Sequence, residues 1–134
     1  MTLVVDASVA VKLYAAEPDS PLARALFAAA DALVAPELIL FEVTSALQRK
    51  YRRGEVSERQ VVSASRDLPF WSARLWPMAD LYQRASVLAL KTNHPIYDCA
   101  YLALAEETGF EFVTTDKGLR KVAGDLGLVN VSGL

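Results

Sequence analysis

The sequence predicts an α/β fold, a three-layer α/β/α domain with a central parallel sheet of about five strands. Short runs rich in β-branched residues, typical of buried parallel strands, alternate with longer stretches of helical periodicity. The first such run, Leu3-Val4-Val5, ends on Asp6 and passes directly into helix-forming sequence. Strands separated by helices favour parallel pairing. The 134 residues, 53% of them hydrophobic, fit one domain over residues 1–134 with a sizeable core.

Periodicity, caps and terminators set the bounds of the predicted elements in the amino-terminal half. Pro18 ends the helix that follows the first strand, and Gly54 ends a long helix after the second strand. Ser57 is the expected cap of the next helix. The predicted order is strand 3–5, helix 8–16, a helix beginning at residue 19, strand 32–35, helix 37–53 and helix 57–67.

The carboxyl-terminal half begins with a less regular pattern. Leu68-Pro69-Phe70-Trp71 interrupts the helical period, and Arg74-Leu75-Trp76 predicts a brief third strand ahead of Pro77. Further along, Pro95 occupies a first-turn position and Gly109 ends the same helix. The predicted order is strand 74–76, helix 79–91, helix 96–108, strand 110–114, helix 116–125 and strand 128–131.

Composition excludes several classes of site. The 14 basic and 16 acidic side chains leave a net charge of -2, so binding of nucleic acid would require a local basic patch. Cys99 is the only cysteine and His94 the only histidine, which excludes an internal disulfide and a structural zinc site. The sequence has no secretory leader and no apolar run of membrane-spanning length. We therefore expect a soluble cytoplasmic protein without a membrane partner.

Four carboxylates fall where the predicted topology brings the chain together. Asp6 ends the first strand, Asp116 follows the fourth, and Asp98 lies in the first turn of helix 96–108. Glu42 has mostly apolar neighbours three and four residues away, so we expect its side chain to point inward or along the upper rim of the sheet. Because ligands bind beyond the carboxyl ends of parallel strands, we expect the four acids to converge there. Oxygen ligands without histidine or cysteine favour Mg²⁺ or Mn²⁺.

Each of these acids also has a purely structural interpretation. Asp6 and Asp116 precede helices and can serve as N-caps, and the helix dipole favours Asp98 without any ligand. Four independent capping residues, however, poorly explain convergence on one edge, and the sequence places no basic side chain obviously among them. The joint pattern therefore favours a metal site.

Four short segments carry a family resemblance: Val5-Asp6-Ala7-Ser8, Glu42 with Leu47, the run from Tyr97 to Ala105, and Val113-Thr114-Thr115-Asp116. They resemble the signature segments of PIN domains, most closely the VapC-type toxins of prokaryotic toxin–antitoxin pairs. The resemblance covers essentially the whole chain, in order. It implies a metal-dependent endoribonuclease that cuts RNA, works as a homodimer and is inhibited by a small antitoxin protein. It further implies catalytic and metal-site roles for Asp6, Glu42, Asp98 and Asp116, with Ser8 and Thr114 as polar supports.

Phosphodiester hydrolysis fits such a site. It needs a nucleophile at neutral pH and stabilisation of charge on the phosphoryl oxygens, and a carboxylate-held divalent ion supplies both. We expect Asp6 and Asp98 to be the principal ligands, and Glu42 and Asp116 to be further or water-mediated ligands.

Basic and apolar side chains suggest where partners bind. Lys12, Lys117 and Arg120 lie nearest the inferred site and are candidates for contacts with RNA phosphates. The basic run 49–53 could steer RNA phosphates, with Tyr51 available to stack, but it is better explained as a complement to the helix dipole. The helix 79–91 and the region from Trp71 to Trp76 are candidate dimer surfaces.

Three other functions are alternatives to an endoribonuclease. A phosphoacceptor receiver domain also binds Mg²⁺ at strand ends, but it would need adjacent acids where Asp6 stands alone and a lysine after Val131. A haloacid-dehalogenase-like phosphatase would need a second aspartate in place of Ser8. A non-catalytic binding module that retains the fold is the third alternative, and only an activity assay distinguishes it from the enzyme.

Overall fold

A computed structural model of the protein describes residues 1–71 and 74–128, and only the backbone of Trp71. Four strands form one parallel sheet within these ranges, and helices cover it, so the α/β/α fold class is confirmed. The strands are β1 (Thr2–Val5), β2 (Ala32–Pro36), β3 (Arg74–Trp76) and β4 (Glu111–Val113). The α-helices are α1 (Ala7–Ala10), α2 (Ser20–Ala29), α3 (Ile39–Arg52), α4 (Glu58–Trp71), α5 (Tyr82–Thr92), α6 (Ile96–Thr108) and α7 (Lys117–Asp125). No helix in the described ranges has the length and apolarity needed to cross a membrane.

Strand β1 lies inside the sheet, whose order is β3-β2-β1-β4 with every pair parallel. Leu3 is opposite Leu33 of β2 on one side and Glu111 of β4 on the other. The residues from Leu3 to Val5 have no solvent exposure, as expected for a strand covered on both faces. The backbone N–H of Asp6 continues this pairing by donating to the carbonyl of Val113. The residues that follow β1 and β4 are therefore neighbours at the same edge.

The predicted helix 8–16 is shorter than expected. α1 ends at Ala10, and a 3₁₀ turn from Val11 to Leu13 follows. The β-branched residues Val9 and Val11 have modest helix propensity, and the tighter turn accompanies burial of Lys12 beside acids further along the chain.

The predicted break at Leu68 is wrong, because α4 continues through Pro69 to residue 71. Leu68 is buried and anchors the last turn to the core. Proline so near a helix end disturbs little of the helix beyond it, so the packing outweighs the lost hydrogen bond. At the other end, Ser57 Oγ accepts from the N–H of Gln60 while Gln60 Oε1 accepts from the N–H of Ser57, a reciprocal capping box.

The other predicted elements agree with the structure within a few residues. The helix predicted over 79–91 begins with a separate 3₁₀ turn, Met78–Asp80, before α5. Pro95 is the N-cap of α6 and not part of its first turn. The predicted fifth strand, 128–131, falls outside the described residues apart from Leu128, which is not in a strand.

Candidate active site

Asp6 is a buried carboxylate at the carboxyl end of the inner strand β1. Its side chain accepts hydrogen bonds from Ser8 Oγ (2.5 Å) and Thr114 Oγ1 (2.5 Å), and from the N–H of Val9 (3.3 Å). Burial raises its pKa to about 6, although these donors oppose the rise. The structure therefore places a carboxyl group with a raised pKa at the edge of the sheet where the sequence predicted a ligand site.

Ser8 and Thr114 join the ends of two neighbouring strands around this carboxylate. Besides donating to Asp6, Ser8 Oγ accepts from the N–H of Thr115 (3.1 Å). Thr114 Oγ1 in turn accepts from the N–H of Asp116 (3.1 Å), and Thr114 is 1% exposed. Each hydroxyl thus orients Asp6 with its proton and fixes the segment after β4 with its lone pair.

Glu42 projects from α3, and its position is set by a tyrosine on α6. The buried Tyr101 donates its Oη–H to Glu42 Oε1 at 2.6 Å. Burial raises the pKa of Glu42, the tyrosine hydrogen bond lowers it, and the charges of Asp98 and Asp6 raise it again. Burial also raises the pKa of Tyr101, so this hydroxyl remains a donor. Tyr101 was not predicted from the sequence, although it lies three residues after Asp98 and so near the same face of α6.

Asp98 and Asp116 complete the set of predicted acids. Burial raises the pKa of the half-buried Asp98, the charge of Asp116 raises it further, and His94 lowers it. Asp116 is exposed and caps α7, with Oδ1 accepting from the N–H of Leu119 (3.1 Å). Glu42 lies within electrostatic reach of Asp6 and Asp98, and Asp98 lies within reach of Asp116, so the structure links the four acids in one chain of neighbours.

Gly118 shows how closely α7 approaches this cluster. A Cβ atom at Gly118 would lie 3.3 Å from Asp116 Oδ1 and 3.9 Å from His94 Nε2. His94 therefore stands beside the acids, a position that was not predicted from the sequence. The signal that could have located it is its position immediately ahead of the helix that carries Asp98.

The three predicted substrate cations differ in their surroundings. Lys12 is 7% exposed, and its Nζ bonds Glu17 Oε2 (2.5 Å) and Asp19 Oδ1 (2.6 Å). This buried ammonium is already paired with two carboxylates, which stabilises the fold locally. A contact of Lys12 with the substrate stays a prediction. Lys117 is exposed next to Asp116, and Arg120 donates from Nη2 to the carbonyl of Thr114 (2.8 Å).

The donor set fits a hard divalent cation. Four carboxylates supply only oxygen ligands, and the ion pairs recorded within the described ranges involve other acids. In the same ranges, no three histidine, cysteine, aspartate or glutamate side chains are arranged to hold a metal together. Magnesium keeps several of its waters and usually binds through one or two carboxylates, so three converging ligands are not required.

Comparisons with known proteins agree on one family. Residues 3–125 match the family model described as PIN domain. Ribonuclease VapC3 of Pyrobaculum aerophilum is 36% identical over 121 residues, covering 89% of this chain and 92% of the relative. Ribonuclease VapC12 of Mycobacterium tuberculosis is 31% identical over 91% of this chain and 92% of its own length.

Solved structures share the fold at lower sequence identity. The structure of Mycobacterium tuberculosis VapC20, a sarcin-ricin loop cleaving toxin, superposes with a TM-score of 0.77 at 19% identity over 98% of this chain and 99% of that one. The structure of FitAB bound to a DNA fragment superposes with a TM-score of 0.66 at 13% identity, over 96% and 93% of the two chains.

Proposed function

The chain belongs to the PIN-domain family, within its VapC ribonuclease group, and on that premise we propose that it is a metal-dependent endoribonuclease, the toxin of a toxin–antitoxin pair. The observation that carries the proposal is the cluster of Asp6, Glu42, Asp98 and Asp116, coupled by charge beyond the carboxyl ends of β1 and β4. Like charges gathered at a ligand-binding edge are costly unless a cation or substrate uses them.

Residues of the chain prepare this cleft for a phosphodiester. Ser8 and Thr114 hold Asp6 from two sides, and Tyr101 holds Glu42, so two of the four carboxylates are oriented before any ligand arrives. Such preorganisation removes part of the cost of assembling a site. Asp98 and Asp116 stand at helix amino termini, where the helix dipole favours their ionised forms.

The cation is proposed to be Mg²⁺ or Mn²⁺, with Asp6 and Asp98 as principal ligands and Glu42 and Asp116 as further or water-mediated ligands. When bound, it would supply a nucleophilic water at neutral pH and neutralise charge on the phosphoryl oxygens. Lys117 and Arg120 are the proposed contacts to RNA phosphates, because both lie on the helix that Asp116 caps.

The test compares cleavage of a mixed RNA pool with Mg²⁺, with Mn²⁺ and with chelator. We expect Asp6→Asn and Asp98→Asn each to lower metal-dependent cleavage by more than about a hundredfold, since losing even an outer partner of a metal ligand commonly costs ten- to a hundredfold. Asp80→Asn is the matched control, because Asp80 is exposed beside the carboxyl-terminal half of α6, away from its first turn.

A thermal melt provides a second readout that does not depend on activity. A cation that binds only the folded protein stabilises it, so millimolar Mn²⁺ should raise the melting temperature of the wild type and of Asp80→Asn, but not of Asp98→Asn. The proposal would be contradicted if both site variants still cleaved RNA and if Mn²⁺ left the melting temperature of the wild type unchanged. A folded protein that binds metal but leaves RNA intact would instead be a non-catalytic module.

The proposed partners follow from the same family and from the charge of the cleft. A small cognate antitoxin would insert a basic side chain among the acids, and two copies of the chain would form a homodimer through α5. The proposed compartment is the cytoplasm, where both the RNA substrate and the antitoxin are made.

A further inference from the structure

Two exposed aromatic side chains directly precede two acids of the site. Phe41 comes before Glu42 on α3 and is 80% exposed, and Tyr97 comes before Asp98 on α6 and is 61% exposed. Together with Glu42 they line one open depression of about 310 Å³. Adjacent apolar groups left open to water at the rim of a catalytic cleft indicate a surface that binds something.

The remaining wall of this depression carries positive charge. Arg49, one turn after Ser45 on α3, extends back along the helix and donates from Nη1 to Ser45 Oγ at 3.1 Å. The hydrogen bond keeps the guanidinium on the side of the helix that faces the aromatic pair. One concave surface therefore combines two aromatic rings with a guanidinium group, and it adjoins the acidic cluster through Glu42.

We propose that this depression is a subsite for a nucleobase of single-stranded RNA next to the phosphate being cut, with Phe41 and Tyr97 stacking on the base and Arg49 contacting the backbone. The inference rests on the proposed function, which it deepens by assigning a substrate contact. Stacking of bases on aromatic side chains is the common way in which proteins hold single strands without reading sequence. Arginine adds attraction to phosphate and can itself stack.

The position of the depression favours RNA as its occupant. Glu42 belongs both to the lining of the depression and to the acidic cluster, so a strand whose phosphate lies at the acids has the depression directly beside it. The chain has a net charge of -2 and four clustered carboxylates, so RNA needs attractive contacts close to the cleft. Phe41, Tyr97 and Arg49 supply such contacts at that place.

The experiment measures binding and cleavage of a fluorescein-labelled, mixed-sequence single-stranded RNA oligonucleotide. We expect Phe41→Ala and Tyr97→Ala each to raise the Kd, measured in chelator, and the KM, measured with metal, by about tenfold. Because a stacked base contributes mainly to binding, kcat should change less than KM.

Three controls accompany these variants. Tyr97→Phe keeps the ring and should behave like the wild type. Phe70→Ala is the matched control, since Phe70 is 84% exposed on α4. Thermal melts check that each variant is folded.

A modified RNA tests the stacking directly. An oligonucleotide with an abasic nucleotide beside the mapped cut should bind wild type about tenfold more weakly, yet bind Phe41→Ala with little further loss, because that variant no longer stacks the base. Kd values of both variants that match the wild type would overturn the subsite. The subsite would also be overturned if either variant changed from dimer to monomer by light scattering while its RNA affinity stayed the same. The aromatic pair would then be a contact between proteins. If the wild type cuts no RNA, the proposed function fails, and the Kd comparison in chelator still decides the subsite.

Discussion

Asp6 caps a helix and also belongs to the acidic cluster, and the two roles support each other. Its Oδ1 accepts from the N–H of Val9 at the start of α1, while Oδ2 accepts from Thr114. Asp116 likewise caps α7 through Leu119 and raises the pKa of Asp98 by its charge. A helix amino terminus aimed at the edge of the sheet stabilises a negative side chain there. Capping therefore helps to keep like charges close together before a cation binds.

The raised pKa of Asp6 predicts how the metal-free protein responds to pH. The unfolded chain releases this proton near pH 3.8, whereas the folded chain keeps it until about pH 6. The free energy of unfolding should therefore fall as pH rises through this window, by about 3 kcal/mol from this group, and then level off. Denaturant melts in chelator between pH 4 and pH 8 measure it. Asp6→Asn should lack this part of the slope, and identical slopes in the two proteins would contradict the assignment.

Tyr101→Phe should impair the site without disturbing the core. The ring stays buried, but Glu42 loses the hydrogen bond that orients it and lowers its pKa. A hydrogen bond to a charged group is worth about 1.5–3 kcal/mol, so we expect cleavage to fall by roughly ten- to a hundredfold. Tyr14→Phe is the matched control, because Tyr14 Oη donates to Asp67 at 2.8 Å in another tyrosine–carboxylate pair.

A double-mutant cycle distinguishes positioning by Tyr101 from a general structural effect. In a Glu42→Gln background, Tyr101→Phe should cause little further loss, because the group through which it acts is already altered. An equal loss in both backgrounds would show that the tyrosine hydroxyl acts independently of Glu42.

The acids of the candidate site, and the hydroxyls of Ser8 and Thr114 that bond Asp6, were predictable from the sequence, but the tyrosine that bonds Glu42 was not. Asp6 and Asp116 follow predicted strands, and a carboxylate among apolar neighbours, as at Glu42, is conspicuous in the sequence alone. Tyr101 bonds a residue 59 positions earlier, and this contact depends on how α3 and α6 pack. The ion pair of Lys12 with Glu17 was not predicted either, since it depends on the turn after α1.

At the scale of elements, local signals predicted bounds well where packing agreed with them. Helix α6 begins after Pro95 and ends before Gly109, whose φ of 73° is in the left-handed region that glycine adopts without strain. Helix α4 departs from its prediction because burial of Leu68 outweighs the break expected at Pro69. Tertiary contacts of this kind are absent from local sequence patterns.

Helix α5 predicts a contact between two copies of the chain. Leu88 and Ala85 are buried, while Tyr82, Val87 and Leu90 are exposed on the outward arc, Leu90 at 86%. Trp76 is a weaker candidate, because it is partly buried and the guanidinium of Arg74 lies 3.8 Å from its ring centroid. We expect light scattering to report a dimer for the wild type and a monomer for Leu90→Asp, which places a charge in the contact. A wild-type monomer at micromolar concentration, or a Leu90→Asp dimer, would contradict this surface.

At the scale of the whole molecule, a parallel sheet was predictable, but the order of its strands was not. Alternating strands and helices indicate parallel pairing, yet several strand orders satisfy that pattern. The observed order places β1 between β2 and β4, so Asp6 stands beside the segment that carries Thr114 and Asp116. This adjacency converts separate acidic residues into one cluster.

The net charge of that cluster predicts how the protein is inhibited. An arginine or lysine from a small partner protein would form charge-assisted hydrogen bonds with Asp6, Glu42, Asp98 or Asp116 and occupy the place of the cation. Expression of the chain alone should then arrest growth. Co-expression of the cognate antitoxin, to be sought in a small reading frame immediately upstream, should restore growth, and the antitoxin should co-purify with the chain. Because cation and partner compete for the same carboxylates, millimolar Mn²⁺ should raise the Kd of the partner, and the partner should weaken Mn²⁺ binding by the same factor. Asp80→Asn serves as the control for nonspecific charge effects, and its complex should respond to Mn²⁺ as the wild-type complex does. Normal growth of cells that express the active enzyme alone, or a partner Kd that does not change with Mn²⁺, would count against inhibition through the acidic cleft.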